Sequence, residues 1–257
     1  MTEHFYGPKL KIQRAKRHVN NLHRVITRFQ KRNPYRLVVE DRGHPGQYAG
    51  TLRIKEEMPE DIPLILGDAI HNLRATLDIL TCDVVRLYGG DGAVTKQTKF
   101  PFCVEGGAND LDSVVKKRLV ESTPEDVLTL FRNTKPYEGG NEALCVLHDL
   151  DIEDKHRTLI SVVNVVEAHY RLGTIGQHVY AAIKDARFSG AQDGTVLMPL
   201  PRSGDFKISQ EFDLPVDIKF RNVYSLLNES VVPALKNLTQ LVEGIVQTFE
   251  AHCFGGK

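Results

Sequence analysis

The sequence has no excess of either charge and no long apolar run. Its 33 Lys and Arg residues equal its 33 Asp and Glu residues in a chain of 257, which excludes a strongly basic field over the whole protein but not a local basic face. Charged or polar residues break every apolar run well before the ~18 residues of a membrane-spanning helix. The N-terminal segment has no apolar core typical of a secretory signal. We therefore expect a cytoplasmic protein with no membrane partner.

The sequence also lacks the spacings of common metal and nucleotide sites. There is no CxxC pair, which argues against a zinc site or a disulfide scaffold and predicts reduced, mostly buried thiols at Cys82, Cys103, Cys145 and Cys253. No glycine-rich phosphate loop and no GxSxG elbow occurs. The carboxylate-x-x-His pairs Asp68–His71 and Glu153–His156 suit a dinuclear centre, but the first helix has no acidic residue to complete it. We expect no cofactor and no metal.

Two apolar periodicities predict the fold class. Apolar residues three and four apart indicate long helices, whereas segments rich in Val, Ile and Phe between turn residues indicate strands. We expect an α+β fold, in which a long-helix bundle carries an N-terminal β-hairpin and an inserted small antiparallel sheet. A single domain over 1–257 is expected, with helices at about 8–32, 62–88, 110–157 and 224–251 and β segments at about 35–56 and 159–220.

Two helix starts carry explicit signals. Thr123 is predicted to cap a helix whose first residue is Pro124, with acidic residues following in the first turn. Ser230 is predicted to cap the last helix, because Pro233 is tolerated only within a first turn.

A polar cluster is predicted where two helices meet. In the segment GDAIHNLRATLDIL, Asp68, His71, Arg74 and Asp78 lie opposite the apolar stripe. In LHDLDIEDKHR, Asp154 and Arg157 extend the stripe of Leu147 and Leu150, and a charge on a buried stripe must be paired. We therefore expect the helices to pack, with Asp154 bonded to Arg74 or His71 and Arg157 to Asp78.

The cluster has two open interpretations. One is a buried ion network that fixes the register of the two helices. The other is a ligand or catalytic site, in which an imidazole exchanges protons near neutral pH and arginines hold an anion. The catalytic candidates are His71, Arg74, Asp78, Asp154, His156 and Arg157.

The first helix is basic, with no acidic residue to neutralise it locally. Such a face is typical of proteins that contact the phosphates of RNA or DNA. The predicted nucleic-acid-binding residues are Lys9, Lys11, Arg14, Lys16, Arg17, Arg24 and Arg28. The alternative is that acids from elsewhere, such as Glu121, Glu125 or Asp126, cover this face.

Three segments resemble a family of uncharacterised bacterial proteins: FYGPKL at 5–10, GDAIHNLRATLD at 67–78 and LDIEDKHR at 150–157. That resemblance implies a bacterial source. Separately, Arg17 and His23 form an Arg-x5-His pattern similar to the Arg-x4–6-His motif of HEPN-type ribonucleases. Those proteins are helical bundles in which His serves as general acid or base and Arg stabilises the phosphorane, without a metal.

The sequence thus predicts a bacterial cytosolic protein associated with nucleic acid, chiefly RNA, through its basic helix, and it suggests a metal-independent ribonuclease. The alternative is a small-ligand or protein-interaction module built on the His/Arg/Asp cluster. A homo-oligomer remains open.

Overall fold

The computed structural model describes residues 4–42, 47–103, 107–156, 161–165, 168–172, 179–183, 192–200, 210–220 and 229–255. The helices are α1 (Tyr6–Lys31), α2 (Asp61–Gly89), α3 (Gly107–Arg118), α4 (Glu125–Asn133), α5 (Glu142–His156) and α6 (Val231–Phe254). The strands are β1 (Tyr35–Asp41), β2 (Tyr48–Ile54), β3 (Ser161–Val165), β4 (Ala168–Leu172), β5 (Val179–Ile183), β6 (Val196–Pro199), β7 (Glu211–Asp213) and β8 (Val216–Phe220). The predicted α+β class is confirmed.

The chain divides into two compact units. The first, which we call the helical unit, comprises Met1–Leu22, Pro63–Leu159 and Asn222–Lys257, and the second, the sheet unit, comprises His23–Ile62 and Ile160–Arg221. Helix α1 runs through the boundary without a break. The single domain over 1–257 stays a prediction, because contacts alone do not show whether either unit folds by itself.

Helix α1 forms because its apolar residues recur three and four apart. The predicted stripe is confirmed, since each of its residues is at most 5 % exposed: Ile12, Ala15, Val19, Leu22, Ile26 and Phe29. Burying each large member contributes roughly 1.5–3 kcal/mol. The helix begins two residues before Pro8, and Asn33, at φ 48°, takes the left-handed conformation just beyond its end.

Helix α2 buries one long apolar stripe. Leu66, Ile70, Leu73, Leu77 and Leu80 have no exposed surface, so its apolar stripe lies in the core as predicted. Among the described residues no helix has both the length and the apolarity to cross a membrane.

The cap of α4 differs from the prediction. Pro124 itself is the N-cap residue, and α4 begins at Glu125. The hydroxyl of Thr123 is buried without a hydrogen-bond partner, and the carbonyl of Pro124 accepts from Val127 and Leu128. Ser230 does hold the N-cap position of α6, but its side chain makes no capping hydrogen bond.

The strands form three antiparallel sheets. The predicted hairpin is confirmed as β1 paired with β2, and β6 and β7 flank it in a four-stranded sheet of order β6-β2-β1-β7. The other strands pair as β3 with β8 and β4 with β5. All four cysteines are free, with Cys103 buried and the other three half-buried.

Candidate functional site

The predicted packing of α2 against α5 is confirmed by direct contacts between their side chains. Nδ1 of His71 lies 3.0 Å from Oδ1 of Asp151, and Nε of Arg74 donates to Nδ1 of His148 over 3.3 Å. The partners on α5 appear in reverse order along the chain, so the two helices run antiparallel.

The predicted partner residues are shifted by one helical turn. Asp154 lies against Gly67, where an added Cβ would be 2.3 Å from its Oδ1. Arg74 instead pairs with Asp78 of its own helix, at 2.7 Å between Nη1 and Oδ1. The prediction that Asp154 pairs with Arg74 or His71 is therefore wrong for Arg74, and Asp151 takes the place proposed for Asp154 beside His71.

Two candidates are not placed by the structure. His156 is the last residue of α5, and its side chain is not among those described. Arg157 and its predicted pairing with Asp78 lie outside the described residues.

One half of the cluster, which we call the Arg74 network, is buried. The Arg74 side chain is 8 % exposed, and its guanidinium lies 4.3 Å from the centre of the Phe102 ring. Phe102 stacks on His148 at 4.5 Å and 9°. Oδ1 of Asp78 also accepts the backbone N–H of Phe100 over 2.9 Å. The network thus fastens the loop that contains Phe100 and Phe102 to α2 and α5.

Protonation within the Arg74 network is fixed by burial. Burial first, and then the positive charge of Arg74, lower the pKa of His148 to about 4. His148 is therefore neutral near pH 7, which lets its Nδ1 accept from Arg74. Although Nη1 of Arg74 is close to Asp78, the angles do not suit a hydrogen bond, so this nitrogen is buried without an aligned acceptor among the described residues.

The other half is a solvent-facing pair, the His71–Asp151 dyad. The His71 side chain is 53 % exposed and that of Asp151 only 4 %. Because the carboxylate can only accept here, we assign the proton to Nδ1, which leaves the Nε2 lone pair free. Lys155, one turn further along α5, bonds to the second oxygen of Asp151. Sequence reasoning paired Asp151 with His148 only as possible metal ligands and did not include it in this cluster, although its spacing of four from the buried Leu147 placed it on the same stripe.

Two of the predicted nucleic-acid-binding lysines are neutralised by α6. Lys9 pairs with Glu250 and Lys16 with Glu243, each at 2.6 Å. Lys11 donates to the Asn72 side chain over 3.3 Å. Two of the acids proposed to cover α1 have partners on helices other than α1: Glu125 pairs with Arg132, and Asp126 pairs with His252.

The remaining predicted residues form what we call the arginine stripe: Arg14, Arg17, Arg24 and Arg28, all exposed. At 100° per residue they fall within about 80° around the axis and extend over about 21 Å. Within the described part of the chain, Arg14, Arg17 and Arg28 have no acidic partner. Arg14, Arg17 and Arg28 therefore present positive charge to solvent without an acidic partner among the described residues.

The Arg-x5-His pair does not converge on one face. Arg17 and His23 are both exposed on α1, but six residues of an α-helix turn them about 120° apart. A phosphate held by Arg17 therefore does not lie against His23 on this helix.

Three grooves of the helical unit all border α6. A groove of about 450 Å³ includes Leu130 and Ile245, and two others, of about 280 and 380 Å³, include Lys16 and Glu243. None of these three includes His71. Over the described residues, no three His, Cys, Asp or Glu side chains are grouped to hold a metal ion.

Comparisons of the chain with family models, with curated proteins and with solved structures give no match. The function therefore has to be argued from the arginine stripe and the His71–Asp151 dyad.

Proposed function

We propose that the chain binds nucleic acid, with RNA as the expected ligand, through the arginine stripe of α1. The observation that carries the proposal is the contrast along one helix. Lys9 and Lys16 face α6 and are paired with glutamates, whereas Arg14, Arg17 and Arg28 face solvent with no acidic partner in the described part of the chain.

Arginine suits this role because its planar guanidinium donates two parallel hydrogen bonds to a phosphate. Each phosphate that is neutralised also releases a condensed counterion, which makes binding favourable at low salt and weak at high salt. The stripe contacts the backbone alone, so we expect little sequence preference. Because the net charge of the chain is zero, long-range attraction by the whole protein does not drive the binding, which depends on local positive charge.

The proposal is limited to binding. Strand cleavage by an Arg and His pair, which the Arg-x5-His pattern implied, gains no support from α1, because Arg17 and His23 point about 120° apart. The Arg74 network also offers no cleavage site, since its guanidinium and imidazole are occupied with each other and with Phe102.

Fluorescence anisotropy with labelled single-stranded RNA, over a series of salt concentrations, tests the proposal. Wild-type log affinity should fall with log salt by about 3, from roughly 0.7 for each of four phosphates. Replacing the stripe arginines with glutamine should abolish most of this slope. The matched control removes the same charge from four exposed lysines that lie outside α1: Lys96, Lys99, Lys117 and Lys135.

Equal losses in the stripe variant and in the control variant would contradict the proposal, because binding would then depend on net charge alone. Absence of any binding by the wild-type chain at low salt would also refute it. A duplex DNA of the same length, measured in parallel, shows whether RNA is preferred.

A further inference from the structure

His71 is held differently from the other histidines whose side chains the structure describes. His148 is buried against Phe102, His252 uses Nε2 to meet the exposed Asp126, and His23 is exposed on α1. Only His71, within this set, combines an exposed ring with an Nδ1 that is bonded to a buried carboxylate. This arrangement fixes the ring and directs Nε2 outward.

A carboxylate on Nδ1 makes Nε2 a better nucleophile. The hydrogen bond to Asp151 holds the proton on Nδ1 and the lone pair on Nε2, and it fixes the orientation of the ring, as it does for histidines that bind metals. When Nε2 forms a bond to an electrophile, the ring becomes cationic, and the charge of Asp151 stabilises it without any rearrangement. Because Asp151 is 4 % exposed, water screens this interaction little.

The surroundings of Nε2 favour a group with negative charge. Lys155 is bonded to Asp151 and its side chain is 53 % exposed, so a cation lies beside the dyad. Two contacts join α1 to α2 nearby: Lys11 bonds to Asn72, and His18 lies 3.7 Å from Asp68. The exposed Arg14 lies between Lys11 and His18 on α1, and His71 lies between Asp68 and Asn72 on α2. Asp68 is the opposing charge on this surface, and it is 64 % exposed.

The place of His71 suits a group that is presented to a partner. A general base for a small substrate needs a cavity that binds the substrate beside it. The three grooves described above border α6 instead. A nucleophile that projects from a rigid helix needs only a partner that brings the electrophile.

We propose that His71 is a phosphoryl-acceptor residue, which takes a phosphoryl group on Nε2 from a donor of the acyl phosphate or phosphoramidate class. The lone pair of Nε2 attacks phosphorus, and an N–P bond forms as the bond from phosphorus to the leaving oxygen or nitrogen breaks. The leaving group departs with that electron pair, as a carboxylate or, after taking a proton from water, as an amine. Asp151 is the positioning residue. Throughout the reaction the proton stays on Nδ1 and remains hydrogen-bonded to Asp151.

The test incubates the full wild-type chain with acetyl phosphate or with potassium phosphoramidate in separate arms. Tandem mass spectrometry under alkaline conditions then measures the rate of phosphorylation at each histidine. His23 is the internal reference, because it is an exposed histidine of the same molecule without a carboxylate partner in the described part of the chain. We expect His71 to react faster than His23 by on the order of tenfold.

Two variants separate nucleophilicity from mere exposure. His71→Gln should lose the acid-labile phosphoryl group, and Asp151→Asn should lower the rate at His71 to that of His23 while the helical circular dichroism is kept. Equal rates at His71 and His23 in the wild-type chain, or no reaction at His71 in either arm, would overturn the proposal without recourse to a variant. A reaction in one arm alone identifies the donor class.

Discussion

Replacing Asp78 with asparagine leaves the Arg74 guanidinium buried without its counter-charge. Removal of one partner from a buried ion pair costs about 3–5 kcal/mol. We expect the lower end, about 3 kcal/mol, because the Asp78 side chain is 35 % exposed and Nη1 has no aligned hydrogen bond to it. Asparagine can still accept from the backbone of Phe100, so that contact does not add to the cost.

The second change should restore stability rather than reduce it further. Arg74→Met alone leaves an Asp78 that water and Phe100 still satisfy, and it loses the hydrogen bond to His148 and the cation–π contact with Phe102, together about 2 kcal/mol. With both changes no charge is stranded, so the double variant should also lose only about 2 kcal/mol. The coupling energy is then about 3 kcal/mol, which is within the range for residues in contact.

Urea unfolding followed by far-ultraviolet circular dichroism measures these differences. Arg74→Met added to Asp78→Asn should raise the unfolding midpoint, with no change in the slope. Additive losses in the double variant would refute our interpretation of the Arg74 network as an architectural ion pair, because they would show that Arg74 and Asp78 stabilise the protein independently.

For three further substitutions the structure predicts the direction of the change in stability. Gly67→Ala should destabilise by roughly 1–3 kcal/mol, since its Cβ would be 2.3 Å from Oδ1 of Asp154; this loss should shrink in an Asp154→Ala background, and an equal loss in both backgrounds would contradict the contact. The pKa of His148 is about 4 in the folded chain and ~6.5 in the unfolded chain. Between these pH values the unfolded chain binds more protons, so the free energy of unfolding falls as the pH drops from about 6.5 to 4. In a pH series of urea midpoints, His148→Gln should flatten this fall, and an unchanged curve would argue against a buried neutral ring. Thr123→Val removes a buried hydroxyl without a partner and should raise the melting temperature by a few degrees; a lower value would show that the hydroxyl is satisfied.

The parts of the fold that depend on local periodicity could be predicted. The stripe from Ile12 to Phe29 and the hairpin of β1 and β2 both follow from residues near in sequence, and both are present. The pairing of β6 and β7 with this hairpin was not predicted, because partners distant in sequence leave no periodic signal.

The candidate site was predicted to within one helical turn. The sequence places charges on the facing sides of α2 and α5, but the offset between two helices depends on how their side chains interlock. Asp154 and Asp151 are three residues apart and lie on the same face, so either fits the pattern. Because Asp154 packs against Gly67, Asp151, one turn earlier on α5, lies beside His71. The predicted cap of α4 was wrong because Pro124, not Thr123, takes the N-cap position. The Thr123 hydroxyl therefore bonds to no backbone N–H of the helix.

Cross-linking of the wild-type chain to single-stranded RNA that carries 4-thiouridine tests the central claim most directly, because it locates the ligand without any substitution. After digestion, mass spectrometry identifies the peptides that bear RNA. We predict cross-links on α1 around Arg14, Arg17, Arg24 and Arg28, which disappear as salt is raised. Cross-links confined to other elements, or cross-links on α1 that persist at high salt, would contradict the account.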